Sequence, residues 1–537
     1  MKNKKMTREE TAMIEIGNTD ISKTNQKILL AFFLIFIVSA AVIQVIFGEN
    51  EAVATNVAMK NDQIVEASAG FLKKATDFND GLLSNIKTYE SDIEENSVFR
   101  KALIPITQAG LLNIFHVGNE KARLSKDNFY YKNSNQYLTQ PGFLEEKQLK
   151  KRKLENVQPN PVKAILDFKE KLTKRDIQLI IVPAPPKASF VLKKGEKALN
   201  NQSYTAFIKQ LENEGIIVCD AFKLLENQQL ENSGFLKYDT HWSPEAVKIV
   251  SNKISNLLDS LSIPKGNTKY AIKKATVQNF GDIVDMLNIH DKNDFVNPQA
   301  IEIEQILEDN FLFKPSTQSE ILFLGDSYSN IYSLEGMNWG SSAGLSEHIS
   351  ENMRKPIDRI IMNDAGAYAT RLALSNELKR GRDRLEGKKV LIWEFAAREL
   401  SVGDWKILDL TLNEEYVSNY FIPEEKTSVT VTGIVRETSK VPMPSTVPYK
   451  DHLVAIHLTD LKDLTTGKDL GESVVYLSSM ENNSWTDAAR LRNGQEIQLK
   501  LYNWNDYTDK FGSINRSELQ DDELSLADPC WGILIKK

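Results

Sequence analysis

Cysteine is nearly absent. Cys219 and Cys530 are the only two in 537 residues. Two thiols cannot staple a disulfide scaffold or build a cysteine-rich zinc module. Histidine is scarce as well, with six, so metal chemistry has few places to sit. Positive charge is not in excess either. The net charge is -7, which excludes the broad basic field of a sequence-general nucleic-acid binder. Glycine and proline, at 26 and 17 residues, are too few for collagen-like or low-complexity chains, and no internal repeat is visible. The chain is 41% hydrophobic and 26% charged. That is ordinary globular composition, too apolar for disorder throughout, and the length allows two to four domains of roughly 100–200 residues.

One apolar run dominates the start. Ile28 to Phe47 reads ILLAFFLIFIVSAAVIQVIF, 20 residues without a charge, with Ser39 and Gln44 its clearly polar members. At about 1.5 Å per residue such a helix spans the ~30 Å hydrocarbon core. A buried core helix is the alternative, but soluble helices rarely run five turns uncharged. Lys2, Lys4, Lys5, Arg8, Lys23 and Lys27 precede the run, and Glu49 and Glu51 follow it. The positive-inside rule then predicts a cytoplasmic tail over 1–27 and a single-pass anchor in the inner membrane over 28–47. Everything beyond lies in the periplasm. A cleaved signal peptide has an apolar region of only ~7–15 residues, so the expectation is an uncleaved signal anchor.

Residues 48–115 read as a helical juxtamembrane region, with Phe71, Phe78, Leu82, Ile86, Tyr89 and Ile93 near helical spacing. From residue 159 onward, short apolar runs alternate with helical stretches. The runs are Ile177–Val182, Gly215–Cys219, Ile321–Leu324, Arg359–Met362 and Lys389–Phe395. The helices between them are Pro161–Thr173, Gln202–Glu214, Pro244–Leu261 and Thr370–Arg380. This alternation predicts an α/β domain over 116–424 with a parallel sheet covered on both faces, and active-site residues beyond the carboxyl ends of its strands. The irregular stretch 263–320 reads as an insertion. Residues 425–537 carry five short β-rich runs between turn residues, which predicts a small all-β barrel or sandwich, with an OB-like barrel suggested by strand count alone. His452 and His457 alternate along one of these strands and read as strand residues rather than ligands. Cys219 reads as a buried thiol.

Two segments carry chemistry. In Ile321–Asn330, ILFLGDSYSN, a buried strand runs into Gly325-Asp326-Ser327, which places a serine where a nucleophile belongs. The plain alternative is that Asp326 or Ser327 only caps the next helix. Ser329 stands where a G-x-S-x-G elbow would end in glycine. In Tyr238–Glu245, YDTHWSPE, Ser243-Pro244-Glu245 is a helix start, so His241 lies in the preceding loop with Asp239 two residues away. A neutral imidazole oriented by a carboxylate is the base a serine needs. The alternatives are a structural histidine or half a metal site, and no second histidine lies nearby to complete one.

GDSYS with a separate DTHW, on an α/β fold behind one anchor, resembles the SGNH-hydrolase-like acetyltransferases of polysaccharide O-acetylation, the AlgJ/AlgX-like family. Pro161–Phe190, with its VPAPPK stretch, and Leu391–Leu400, LIWEFAAREL, resemble that family's helix–strand and closing-strand segments. The likeness covers roughly residues 85–405. The order agrees, because Asp-x-His precedes the serine by 86 residues, whereas ordinary SGNH esterases have the serine first. The resemblance implies Ser327 as nucleophile, His241 as general base and Asp239 as its orienter. It also asks for an oxyanion hole built from a glycine and an asparagine, for which Gly340, Gly344 and Asn363 are candidates. Tyr328, Trp242, Trp339, Arg371 and Arg398 are candidate substrate contacts. Core packing competes for the tryptophans, and core packing is the expectation for Trp393. Structural ion pairs compete for the arginines.

The implied activity is transfer of acetyl through a serine ester to hydroxyls of an alginate-like exopolysaccharide in the periplasm. No metal or cofactor is called for, and a membrane-bound acyltransferase supplies the acetyl group. Two readings compete. An acetylesterase uses the same triad with water as acceptor, and a non-catalytic polysaccharide-binding scaffold uses none of it. An intact Asp239, His241 and Ser327 set argues against the scaffold. The sequence does not match the 425–537 domain to the carbohydrate-binding module of some relatives.

Overall fold

In the computed structural model, residues 22–47 and 97–535 are described, apart from short breaks at 126–127, 193–196, 229, 364–366, 417, 445–446, 448, 513, 520 and 522. The tail 1–21 and most of the juxtamembrane region lie outside these residues. Of that region, Val98–Phe115 is a helix, begun by the Ser97 side chain accepting from the Arg100 N–H and ended at His116 in the left-handed conformation.

The apolar run forms a helix, Lys23–Phe47, with Ile28, Phe32, Ile35 and Phe36 all more than half exposed. The membrane-span expectation is not met. Among the described residues no helix is long and apolar enough to cross a membrane.

The α/β domain is built on five parallel strands: β1 (Gln178–Ala184), β2 (Ile217–Val218), β3 (Ile321–Gly325), β4 (Asp358–Ile361) and β5 (Val390–Ala396). Their order across the sheet is β2-β1-β5-β3-β4. Each strand falls on a run read from the sequence. The reason is visible in the cores. Ile180, Val182, Phe323 and Ile392 pack on one face with helices Pro244–Ser260 and Leu345–Met353. Leu179, Ile181, Leu322 and Trp393 pack on the other with Pro161–Thr173, Tyr204–Asn213 and Ala369–Lys379. Successive side chains point to opposite faces, so only near-continuous apolar runs satisfy both cores.

The stretch read as an insertion is ordered. Tyr270–Asn279 and Gln299–Glu308 pair as a ten-residue antiparallel ladder, and the short helix Asp282–Met286 sits between them.

Five long strands follow: β6 (Ser428–Thr438), β7 (His452–Asp463), β8 (Asp469–Glu481), β9 (Glu496–Asn503) and β10 (Cys530–Leu534). Pairings β6–β7, β7–β8, β8–β10, β10–β9 and β9–β6 close them into a ring. Counted within the barrel this is the order 1-2-3-5-4-1, with strands 3 and 5 parallel. The OB-like expectation therefore holds at the level of strand number and closure. Val431, Val454, Val475 and Leu499 fill the interior. His452 sits between the Ser479 and Ser517 hydroxyls at 2.7 and 3.1 Å, which agrees with its reading as a strand residue.

Candidate active site

The carboxyl ends of the parallel strands meet a cavity of about 130 Å³. Ser327 follows β3, Asn363 follows β4 and Arg398 follows β5, and all three line it together with Asp239, Thr240, His241 and Asp282. Two segments separated by 86 residues are thus brought to one wall.

The serine sits on a braced turn. Asp326 does cap the short helix Ser327–Asn330, its Oδ1 accepting the Tyr328 N–H at 2.9 Å. The cap and the functional reading coexist, because the cap sets Ser327 at the first helical position. Asp326 Oδ2 also accepts the Ala396 N–H at 2.8 Å, tying the turn to the end of β5. Behind it, buried Glu394 of β5 accepts the Asp326 N–H at 3.0 Å and the Ser329 hydroxyl at 2.6 Å. Burial, and then the neighbouring Asp326 carboxylate, push Glu394 well above the usual carboxylate range. Gly325 is required here, since a Cβ would lie 2.7 Å from Ser329 Oγ. Ser329, the departure from the esterase elbow, is the side chain that Glu394 holds.

The imidazole is oriented from several sides. Asp239 Oδ1 receives His241 Nδ1 at 2.6 Å and the His241 backbone N–H at 3.1 Å. Asp239 Oδ2 accepts from Trp339 Nε1 at 2.9 Å and from the Asp282 N–H at 3.0 Å. Burial alone would raise the Asp239 pKa. The His241 charge and these N–H donors outweigh it, so the carboxyl lies well below the usual range. Burial likewise lowers His241, but the charges of Asp239, Asp282 and Asp326 outweigh it and the net shift is upward. With Nδ1 taken by Asp239, Nε2 is the nitrogen left for chemistry. No hydrogen bond joins His241 to Ser327 among the described residues; the two share the cavity wall.

Three further residues hold this loop, and sequence reasoning missed them or gave them other roles. Buried Lys187 donates from Nζ to the carbonyls of Leu236, Lys237 and Asp239 at 2.8, 2.6 and 3.1 Å. Burial pushes its amine down to about 7, against the pull of Asp239 and Asp282. Asp282, from the supposed insertion, accepts the Thr240 N–H at 2.7 Å and the Thr240 hydroxyl. Its carboxyl is pushed up to about 7 by burial and by Asp239. Gly281, at φ +85°, admits this helix; a Cβ there would lie 2.4 Å from the Tyr238 carbonyl oxygen. Trp339 orients Asp239 rather than offering a sugar platform. Lys187 had a signal, the VPAPPK stretch. Asp282 had none, because its partner lies 42 residues away.

Several candidates are corrected. Trp242 and Tyr328 are buried structural links between the two segments, with Trp242 Nε1 donating to the Tyr328 carbonyl at 2.7 Å and the Tyr328 hydroxyl to the Thr240 carbonyl at 3.3 Å. Arg371 is buried under the sheet, donating to the carbonyls of Lys406 and Ala367 and lying over the Trp393 ring. Trp393 is core. Gly340 and Gly344 do not line the cavity. A Cβ would lie 2.3 Å from Ile303 Cδ1 at Gly340 and 2.0 Å from Ser333 Oγ at Gly344, so close packing explains both. Asn363 does line it, its Oδ1 fixed by Asn330 Nδ2 at 2.8 Å. Arg398 lines it too, near Asp326.

Asp239, His241 and Asp282 have ligand atoms close enough for a metal. Those atoms are already engaged with one another, with Trp339 and with Thr240, which suits a hydrogen-bonded relay better than a coordination sphere.

Residues 143–397 match the family described as ALGX, SGNH hydrolase-like domain, acetyltransferase AlgX. The α/β domain is similar to that family over these residues. Two probable alginate O-acetylases AlgJ are similar to the chain. That of Pseudomonas fluorescens is 22% identical over 250 residues, 44% of this chain and 60% of its own. That of Pseudomonas aeruginosa is 22% identical over 257 residues, 43% of this chain and 61% of its own. The chain thus spans about 60% of the length of these relatives. Among solved structures, the O-acetyltransferase domain of Pseudomonas putida AlgJ aligns with TM-score 0.40 and 16% identity, over 53% of this chain and 94% of that one. Pseudomonas aeruginosa AlgX aligns with TM-score 0.39 and 14% identity, over 71% and 90%. The AlgX-type domain of the present chain continues into the five-stranded barrel.

Proposed function

We propose that the chain is an O-acetyltransferase that carries acetyl on Ser327 and delivers it to hydroxyls of an exopolysaccharide. The observation that supports this most is the hydrogen-bonded Asp239–His241 pair lining one cavity with Ser327 in an AlgX-type domain. Ser327 Oγ attacks the acetyl carbonyl while His241 Nε2 takes its proton. The Ser327 N–H and the Asn363 amide are the candidates for holding the developing oxyanion. Collapse expels the donor's leaving group with that proton and leaves acetyl-Ser327. A sugar hydroxyl then attacks, giving its proton to His241, and Ser327 leaves as the hydroxyl.

The acceptor is an alginate-like polymer by likeness to the AlgJ proteins. The proposed location is the periplasmic side of the inner membrane, with a membrane-bound acyltransferase as donor. This rests on the uncharged run and the lysines before it. The test offers the purified chain an acetyl ester and deacetylated alginate together. Ester-linked acetate on the sugar supports transfer. Acetate found only in solution, with every polymer tried, replaces transfer by the esterase reading.

A further inference from the structure

The cavity has a second wall that the chemistry above does not use. In a barrel of OB type the ligand site is formed by the face of strands 2 and 3 and by the loops joining strands 1–2 and 4–5. Here those loops connect β6 to β7 and β9 to β10, and they are the ones that reach the cavity. The first contributes Tyr449, Lys450 and Asp451; the second contributes Lys510, Ile514 and Asn515. Both are fastened to the α/β domain. Lys121 Nζ donates to the carbonyls of Pro444 and Val447 at 3.0 and 2.8 Å. Lys450 pairs with Asp285, one turn beyond Asp282. Arg380 donates to the carbonyls of Leu526, Ser525 and Ala527 at 2.9, 3.0 and 3.1 Å. The barrel is thus held with these two loops at the cavity.

Asn515 gives the wall its meaning. It is 6% exposed, and its backbone is pinned by its carbonyl accepting the Leu453 N–H at 2.8 Å. Yet neither its Oδ1 nor its Nδ2 has a hydrogen-bond partner among the described residues. A buried amide without partners is costly to keep. A carboxamide offers one acceptor and one donor group side by side, which matches two neighbouring hydroxyls of a pyranose. Barrels of this type also bind oligonucleotides, but the cavity lining carries Lys450, Lys510 and Arg398 beside Asp239, Asp282, Asp285 and Asp451, a mixed field rather than the basic groove that tracks a phosphate backbone.

We propose that the barrel loops form the acceptor-sugar subsite of the catalytic cavity, with the Asn515 amide reading sugar hydroxyls and Tyr449 adding an aromatic wall. This rests on the acetyl-transfer reading for its purpose, though not for its test. Titration calorimetry on the full chain uses a deacetylated alginate hexasaccharide, cellohexaose and a hexamer of thymidylate. One of the saccharides binds, and Asn515→Ala weakens it about three- to tenfold, the worth of one or two neutral hydrogen bonds. Hydroxyl-radical footprinting of the unaltered chain covers the case in which the variant does not fold, and Tyr449 and Ile514 become protected when that saccharide is added. Equal binding by wild type and a folded Asn515→Ala chain, no protection at Tyr449, or tighter binding of the oligonucleotide overturns the proposal. Saccharide binding that depends on Asn515, in a chain that transfers no acetyl, removes the acetyltransferase reading and leaves the subsite standing.

Discussion

The two walls of the cavity are built on opposite principles. On the α/β side, both carboxylate oxygens of Asp239 are satisfied, and the carbonyls beneath the loop are gathered by Lys187. On the barrel side, Asn515 is buried with both amide atoms unpartnered among the described residues. A wall that must present an imidazole repeatedly in one geometry is best satisfied internally, because its hydrogen bonds then cost no reorganisation during the reaction. A wall that must recognise something is best left unsatisfied until its ligand arrives.

The largest effect that breaks this contrast is expected at the proposed nucleophile. Ser327→Ala should lower turnover of a soluble acetyl ester by about three orders of magnitude or more. Retained turnover, measured against protein freed of contaminating esterase, removes the serine-ester route. Next comes Lys187→Met, which keeps the length of the side chain and loses three donors. Loosening the loop by an ångström is worth up to about 100-fold, so kcat should fall ten- to 100-fold with KM little changed. The downfield proton resonance of the His241–Asp239 hydrogen bond should also broaden or disappear. An intact resonance and an unchanged kcat would make Lys187 a packing residue only.

Smaller effects sharpen the contrast. In the proposed mechanism His241 accepts the Ser327 proton only when neutral, and its pKa is raised above the ordinary 6.5. The acid limb of kcat/KM should therefore lie above that of an ordinary histidine, with activity rising as pH rises through it. Asp282 is one of the charges that hold His241 up. Its own carboxyl is pushed up to about 7, so it is ionised mainly above neutrality. Asp282→Asn should move the limb to lower pH, and a pH–rate profile that does not move, or moves upward, counts against that role. The smallest catalytic effect is expected at Arg371. Its loss strands two carbonyls and the ring stacking on Trp393. Arg371→Met should thus cost about 1–3 kcal/mol of stability by denaturant melt, with kcat per folded molecule unchanged. A selective loss of kcat would return Arg371 to the substrate.

The sequence by itself determined the sheet and the two segments that meet at the cavity. Strands buried on both faces must be nearly continuous in apolar residues, as in Ile321–Leu324 and Lys389–Phe395, and that signal is local. The helix starting at Pro244 was equally legible, because Ser243 caps it through the N–H of a residue three positions on. The barrel's strands were readable for the same reason. Strand count could suggest a barrel but could not choose it over a sandwich, because the β6–β9 and β8–β10 pairings that close it depend on register between distant segments. What only the tertiary structure decided are the contacts across long separations. Asp282 reaches Thr240 over 42 residues, Trp339 reaches Asp239 over 100, and Asn515 reaches the cavity from another domain. None of these has a spacing to read. A tryptophan is equally apolar whether it offers a ring to a sugar or an N–H to a carboxylate, and only its neighbours in space choose between the two.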